Sequence, residues 1–552
     1  MRIKLLRPPF YSSFPTFVRL PYGMGVLTAI LRKAGYYVEQ DDLAAKCNYH
    51  NKKVGIFSNK KIDLNILTYT HNMKSCLEKG ISQKIFNQLT EKILNLTSYR
   101  GFDIIGFSLH CYSEFLFALL LAEKIKKETN AIIVFGGAFI TLYGKLFFEK
   151  YNFIDYMIVG DGGIPFLKLL DYLKGKIKIG EIPSLLYREN KVIKMNNRID
   201  FKIEDTPLPD FIDLPLEIYR EEFAGNLLLP YQISRGCSSK CNFCTFRLVD
   251  IKPDIKSAEK VITELKELSQ RYNSKYFTMC DTTFNNFPKK IEEICDLLIQ
   301  NKVNIKWEAF VRINGLEEKL ISKMKKAGCC LMRVGVESGS NRMLQAMGKG
   351  YNSQQASEVL KIISKLNINN IVYIIIGYPY ETYDDIKQTL KFIKDNKNYI
   401  QSISIYTFYL GYNSLIYNNL SSNGLENIRH LPDNSFAFDE IKGLKWEKRL
   451  VYTKKIKKQI FKEIYKELLS PIYKIGIIFY FFYWLEDIIS ILNRLLKLPY
   501  FQRLLDFIYY FDPRYKKGYS LIMGKDLFPF WKKEKLPVIY QWDKLRSFKN
   551  NS

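Results

Sequence analysis

Short runs of β-branched and apolar residues alternate with amphipathic stretches of helical period along most of this chain. No other feature constrains the fold as tightly, because strands separated by helices pair in parallel, and the alternation therefore demands an α/β architecture. In residues 1–180 the strand candidates are RIKLLRP (2–8), YYVEQ (36–40), DIIGFSLH (103–110), AIIVFGG (131–137) and IDYMIVGDGG (154–163). Helices are expected over 25–34, across much of 54–99, and over 114–128 and 165–175. Glycines gather at the carboxyl ends of these strands, as in an open, doubly wound (Rossmann-like) sheet. Residues 181–226 read as a hairpin (SLLYRENKVIKM) followed by a Pro- and Asp-rich linker. Residues 227–412 hold six further strand candidates: 231–236, 275–281, 306–312, 330–337, 369–378 and 402–409. Six βα units in succession predict a partial (βα)6 barrel. Residues 413–552 read as a mostly helical extension, broken near Pro471, Pro499, Pro513 and Pro529.

The chain has 552 residues, which at about 150 residues per domain implies roughly three to four domains. With 47% hydrophobic and 25% charged residues it is neither fibrous nor wholly disordered. The longest apolar run, 475–485, is too short to span a bilayer, so it reads as a buried helix, with a membrane-surface segment as the alternative. The amino-terminal sequence lacks the apolar core of a signal peptide, and the cytoplasm is the expected compartment. The formal net charge is +27, of which residues 431–552 carry +11. The abundance of Lys, Ile, Asn and Tyr reads as a base-composition bias, although the charge would also suit an acidic partner.

Ten cysteines are too few for a disulfide scaffold. Three of them cluster: ISRGCSSKCNFCTF places Cys237, Cys241 and Cys244 in a C-x3-C-x2-C array. Thiolates this close suit an iron–sulfur cluster or zinc. Zinc in a closed site needs a fourth ligand, and none lies nearby, so only a remote residue could complete a zinc knuckle. Three ligands on a four-iron cluster leave one iron open to chemistry. Distinctive residues also stand at the carboxyl ends of the barrel strands, where such folds do their work: Cys237, Asp281 in CDTTF, Arg312, Glu337 in GVESGS, and Gly377 in IIIGYPYET.

The cysteine array, with Phe243 before its last member, resembles the signature of the radical S-adenosylmethionine (SAM) superfamily. GVESGS, MGKG and IIIGYPYET are similar to the cores of members that carry an N-terminal cobalamin-binding domain. The resemblance spans about 230–410. It implies that Cys237, Cys241 and Cys244 hold a [4Fe–4S] cluster, and that SAM binds its open iron and is cleaved to a 5′-deoxyadenosyl radical. It also implies SAM contacts from Phe243; from Asp281, Thr282 and Thr283 to the amino group; from Glu337 and Ser338 to ribose and carboxylate; and from Ile376 and Gly377 to adenine. Arg312 could pair with a carboxylate, its planar fork suiting bidentate contact. The plainer readings are an ion pair between Arg312 and Glu337 and a strand-ending turn at Gly377.

In the N-terminal block, PPF, PYGMGVLTAILRKAGY, DIIGFSLH, VFGGAFITL and VGDGG together resemble the cobalamin-binding domain that precedes such cores. By that resemblance Ser108, Gly136, Gly137, Ala138, Gly160 and Gly162 would line the cofactor pocket. The D-x-H-x-x-G motif that supplies an axial histidine elsewhere is absent, and His110 reads as a loop residue rather than a cobalt ligand. The two cofactors together imply methylation of an unactivated carbon, or of phosphorus, in a biosynthetic substrate. Cyclisation, rearrangement or oxidation remain alternatives. A methylthiotransferase acting on transfer RNA would need a second cysteine trio, and Cys47, Cys76 and Cys111 are too dispersed to form one. The expected partners are a small-molecule or peptide substrate and a reductant such as flavodoxin or ferredoxin, with no nucleic acid.

Overall fold

The computed structural model describes residues 1–10, 19–54, 62, 64, 83–199, 201–223, 225–249, 252–431, 434–468 and 538–540. Cys76, the run 475–485 and Pro471, Pro499, Pro513 and Pro529 lie outside these residues.

The N-terminal sheet has seven strands: β1 (Arg2–Arg7), β2 (Tyr37–Asp42), β3 (Ile104–Ser108), β4 (Ile132–Gly136), β5 (Tyr156–Ile158), β6 (Leu185–Glu189) and β7 (Val192–Met195). Their order is β2-β1-β3-β4-β5-β6-β7. The first five are parallel and the chain reverses direction at β1, so this is the expected doubly wound sheet, with its switch point between β1 and β3. The strands bury on both faces, as crossover helices require: Ile104, Ile105, Ile133 and Phe135 are fully buried. The hairpin expected after residue 180 is β6–β7, and it extends this sheet antiparallel to β5.

A short strand β8 (Leu228–Tyr231) opens the second unit, and β9 (Ser234–Arg235) pairs antiparallel with β10 (Asp254–Ile255). There follow β11 (Tyr276–Met279), β12 (Lys306–Val311), β13 (Cys329–Glu337), β14 (Asn369–Ile376) and β15 (Ser402–Thr407). These pair in parallel in the sequential order β8-β11-β12-β13-β14-β15. Strand addition always on the same side curls the sheet into a partial barrel instead of producing a switch point. The first strand begins at Leu228, earlier than the expected 231, and contains Pro230. Proline is tolerated there because β8 is an edge strand with β11 as its only neighbour.

The extension departs from a purely helical reading in two places. A hairpin of β16 (Leu425–His430) and β17 (Phe436–Glu440) precedes the helix Trp446–Leu468, and β18 (Val538–Tyr540) adds a seventh parallel strand beside β15. No helix among the described residues is long and apolar enough to cross a membrane.

Alternation along the barrel strands fixes what faces the lumen. Trp307, Ala309 and Val311 pack outward with Leu320, Ile321 and Met324 of the covering helix Glu318–Lys326. Glu308 and Phe310 therefore point inward. Glu308 is 1% exposed and sits between two arginines: Arg333 from β13 at 2.8 Å, and Arg19 from the N-terminal unit at 3.0 Å. Burial alone would push this carboxyl up, but Arg333 and Arg19 outweigh it and hold the pKa below the usual carboxylate range. The Arg333 fork also reaches Tyr373 Oη at 3.0 Å. Phe310, Tyr373 and Tyr406 form a ring ladder across the lumen wall, with centroids 5.8 and 5.6 Å apart.

Candidate active site at the barrel mouth

The cysteine array lies on an excursion whose base is the β9–β10 pair. Gly236 opens it at φ +73°, where a Cβ would stand 2.9 Å from Pro253 Cα, so only glycine fits. The excursion is docked rather than free. Asn242 N–H donates to Met347 O (3.0 Å), its side-chain amide donates to Ala346 O (2.7 Å), and its carbonyl accepts from Ile416 N (2.9 Å). All three thiols are free and partly exposed. The Cys237 thiol lies 3.6 Å from Thr283 Oγ1 and accepts from Ser239 N at 3.4 Å. Burial pushes Cys244 up to about 11 and also raises Cys241, although Lys349 opposes that rise. Burial therefore favours the protonated form of Cys241 and Cys244 until a metal displaces the protons. Among the described residues no three His, Cys, Asp or Glu side chains converge on a single metal-ion position. A four-iron cluster takes each thiolate on a different iron, which suits three neighbouring but separate thiols.

Charged groups from the later strands surround the trio. Glu337 ends β13 at φ +67°, and its carboxylate pairs with Lys349 at 3.1 Å rather than with Arg312. Burial works against the Lys349 ammonium, but Glu337 outweighs it and holds the proton above the ordinary range. The ammonium also lies 5.9 Å from the centre of the Phe243 ring and 5.8 Å from that of Tyr351. The Tyr351 hydroxyl donates to the carbonyls of Gly335 (2.8 Å) and Val336 (2.9 Å), fastening the strand irregularity that turns Glu337 toward the cysteines. Arg312 reaches the cysteine excursion directly, donating from Nη1 to Ser238 Oγ (3.3 Å) and to Ser239 Oγ. Its Nε is buried without a partner among the described residues.

The other expected residues are placed unevenly. Thr282 and Thr283 are half-buried, with Thr283 at Cys237. Asp281 is 3% exposed, and its Oδ1 accepts from the backbone and hydroxyl of Ser234. Burial raises its carboxyl to about 6 against those hydrogen bonds. Ser338 is fully buried, with its hydroxyl 3.1 Å from Thr389 Oγ1 and its N–H donating to Val336 O at 2.9 Å. Ile376 is core. Gly377 ends β14 at φ +75° and is gripped on both sides: its N–H donates to Glu381 Oε2 (2.5 Å) and its carbonyl accepts from Arg449 Nη1 (2.8 Å). Arg449 belongs to the helix Trp446–Leu468 and is anchored by Glu440. Burial pushes the Glu381 carboxyl up to about 8, with Asp385 adding to the rise and the Gly377 N–H, Arg449 and Arg342 opposing it.

On the N-terminal sheet the carboxyl-end loops divide by packing. A Cβ at Gly137 would stand 2.4 Å from Leu109 O, and one at Gly160 would stand 2.7 Å from Arg198 Nε, so these glycines serve close packing. Gly162 faces open space, and Gly136 has only Ile158 O, at 3.8 Å. Ser108 is half-buried at the end of β3, and Ala138 begins the helix Ala138–Phe147, whose N-terminus has no side-chain cap. The open glycines leave room at this rim for a ligand, while the Phe139 N–H of the first turn is already taken by Leu109 O at 3.0 Å. His110 is turned to Glu114, with Nδ1 at 3.5 Å. Although burial opposes it, the His110 and Arg7 contacts hold Glu114 down to about 2.

The two carboxyl ends meet. Asp161, between Gly160 and Gly162, pairs with Arg235 two residues before Cys237, at 2.7 Å. Tyr143 Oη lies 3.2 Å from Tyr409 Oη, just beyond β15. Sequence reasoning singled out neither Lys349 as a site residue nor Asp161, Arg198, Arg235, Glu381 or Arg449. Lys349 in MGKG, Asp161 in VGDGG, Arg235 in ISRGC and Glu381 in IIIGYPYET lie within the quoted motifs, whereas Arg198 and Arg449 carry no local signal.

Residues 231–393 match the Radical SAM superfamily. An uncharacterized methyltransferase of Pyrococcus horikoshii is 30% identical over 297 residues, which cover 53% of this chain and 64% of that protein. The chain thus spans less than two thirds of that relative. The cobalamin-dependent radical SAM enzyme OxsB, solved with aqua-cobalamin and SAM, shares the fold at a TM-score of 0.54 and 22% identity, over 71% of this chain and 52% of that one. The radical SAM methyltransferase TsrM of Kitasatospora setae, solved with cobalamin and a [4Fe–4S] cluster, shares it at 0.57 and 14%, over 77% and 80%.

Proposed function

From the premise that residues 231–393 place this chain in the radical SAM superfamily, we propose that it is a cobalamin-dependent methyltransferase acting on an unactivated carbon or phosphorus of a biosynthetic small molecule or peptide. The observation that carries this reading is the contact between the 160–162 loop and the cysteine excursion through Asp161 and Arg235. In both kinds of α/β unit ligands bind beyond the carboxyl ends of the strands. Here those two ends face each other, so ligands on the two sides share one space.

Cys237, Cys241 and Cys244 would hold a [4Fe–4S] cluster. With SAM it supplies hydrogen abstraction, and a cobalamin on the sheet supplies methyl transfer. The chain's own residues bind and orient. Arg312 offers a guanidinium beside the cysteine excursion for the SAM carboxylate. Glu337, held by Lys349, would present its carboxylate toward a ribose, and the adenine would stack against the strand end at Ile376 and Gly377, whose backbone is fixed by Glu381 and Arg449. Thr282 and Thr283, with Thr283 beside Cys237, would serve the amino group. Asp281 supports Ser234 beneath the excursion, and so orients it rather than contacting SAM. Gly136, Gly162, Ser108 and the N-terminus at Ala138 offer the sheet-side rim. A low-potential one-electron carrier of the flavodoxin or ferredoxin class would supply the electron.

The test is anaerobic reconstitution with iron and sulfide, addition of hydroxocobalamin, desalting, and assay of bound cobalt and of 5′-deoxyadenosine formed from SAM and reductant. Near-stoichiometric cobalt together with SAM cleavage supports the reading. SAM cleavage without bound cobalt removes methyl transfer and leaves cyclisation or rearrangement in its place.

A further inference from the structure

Asp161 and two arginines form a clamp across the interface of the two units. Arg235 stands two residues before Cys237, and its Nη1 meets Asp161 Oδ2 at 2.7 Å. Its Nη2 donates to Thr206 Oγ1 at 3.2 Å, which fixes the plane of the fork. The other Asp161 oxygen accepts from Gly163 N at 3.3 Å, at the start of the helix Gly163–Leu173. The second arginine acts on the far flank. Arg198 packs over Gly160, where a Cβ would stand 2.7 Å from its Nε. It donates from Nη1 to Leu248 O at 2.6 Å and from Nη2 to Val249 O. Leu248 and Val249 follow Cys244 closely, so the two arginines bracket the cysteine excursion from both sides while both touch the 160–162 loop.

Arg235 is 12% exposed and Asp161 28%, so their charges are shielded from solvent and the pair is stiffer than a surface ion pair. A shift of the 160–162 loop would disturb the Asp161–Arg235 pair on one flank and the packing of Arg198 on the other.

We propose that Asp161, Arg198 and Arg235 are positioning residues that couple the two cofactor sites: a cobalamin seated against the 160–162 loop and a cluster seated on the cysteine excursion each tighten the other's site. This rests on the cobalamin reading above. The coupling is reciprocal, as linkage requires.

The experiment uses the full chain. Hydroxocobalamin affinity is measured by equilibrium dialysis with cobalt analysis, before and after cluster reconstitution, for the wild type and for Asp161→Asn. In parallel, iron release to excess chelator is timed with no cobalamin present. The cluster should tighten cobalamin binding about fivefold or more in the wild type, the low end of measured site–site couplings, and that ratio should fall toward one in Asp161→Asn. A wild-type ratio of one, with cobalamin bound, overturns the coupling. If neither form binds cobalamin, the cobalamin reading fails and iron release decides the clamp: several-fold faster loss in Asp161→Asn supports its hold on the excursion, and an equal rate overturns it. If Asp161→Asn melts without cooperativity, Arg235→Lys, which keeps the charge and loses the fork, is scored the same way.

Discussion

Glu381 makes stability depend on pH in a direction opposite to most buried carboxylates. It is 7% exposed, its Oε2 accepts from Gly377 N, and its Oε1 is buried without a partner among the described residues. Burial raises its pKa from 4.5 to about 8, with Asp385 adding to the rise. A raised acid holds its proton in the folded state while the unfolded chain has lost it. Its contribution is therefore complete below pH 4.5 and is lost as pH climbs toward 8. Between pH 6 and pH 8 the linkage relation gives a loss of about 2 kcal/mol from this group. Asp281, raised only to about 6, adds little to the slope above pH 6. In Glu381→Gln the amide keeps an oxygen for Gly377 N–H and cannot ionise. Urea unfolding at pH 6, 7 and 8 should show the wild type weakening by about 2 kcal/mol and the variant nearly flat. The variant should match the wild type near pH 6 and exceed it at pH 8. An unchanged slope in the variant would refute the assignment of a neutral carboxyl at this position.

Three further outcomes are expected. Cys237→Ala should lose cluster absorbance and all cleavage of SAM to 5′-deoxyadenosine while melting within about 1 kcal/mol of the wild type, because the thiol is only half-buried. Arg312→Lys should weaken SAM binding to the reconstituted protein about tenfold, since an ammonium cannot reproduce the fork; equilibrium dialysis with labelled SAM checks this. Glu308→Ala should cost about 3–5 kcal/mol in urea unfolding by stranding Arg333 and Arg19 in the lumen, and adding Arg333→Met should recover part of that loss.

What the sequence disclosed and what it hid divide by range of interaction. Strand positions were legible because the period-two and period-3.6 patterns are local, and the cysteine trio because its ligands lie within one loop. The start of β8 at Leu228 was misplaced because Pro230 looks like a break until the strand is known to be an edge. The β16–β17 hairpin was missed because its segment lacks a clean period-two pattern, and the aromatic stack of Phe436 against His430 and Tyr412 joins residues the local pattern does not link. Asp281 ends its strand as expected, but the partner of its Oδ1, Ser234, lies 47 positions away in sequence, and its Oδ2 is buried without a partner among the described residues. The Arg235–Asp161 pair spans 74 positions and exists only because two separately folded units dock. No local pattern encodes such a contact.

That docking also bears on what chemistry the site can sustain. A site that abstracts unactivated hydrogen must keep its reactive species from water and from stray side chains. A barrel mouth alone is open on its upper side. Here the carboxyl-end loops of the sheet cover the cysteine excursion, with Asp161 on one flank and Tyr143 opposite Tyr409 near the last of the six consecutive strands. Below, the lumen is walled by the Phe310–Tyr373–Tyr406 ladder and crossed by the Arg19–Glu308–Arg333 triad. Arg19 comes from the sheet unit, so that unit contributes at both the mouth and the middle of the barrel. Two strand-end rims that face each other suit the proposed transfer from a group on one rim to a substrate activated at the other. A reaction needing the barrel cofactor alone would require neither the open glycine rim at Gly136 and Gly162 nor a clamp reaching both flanks of the cysteines.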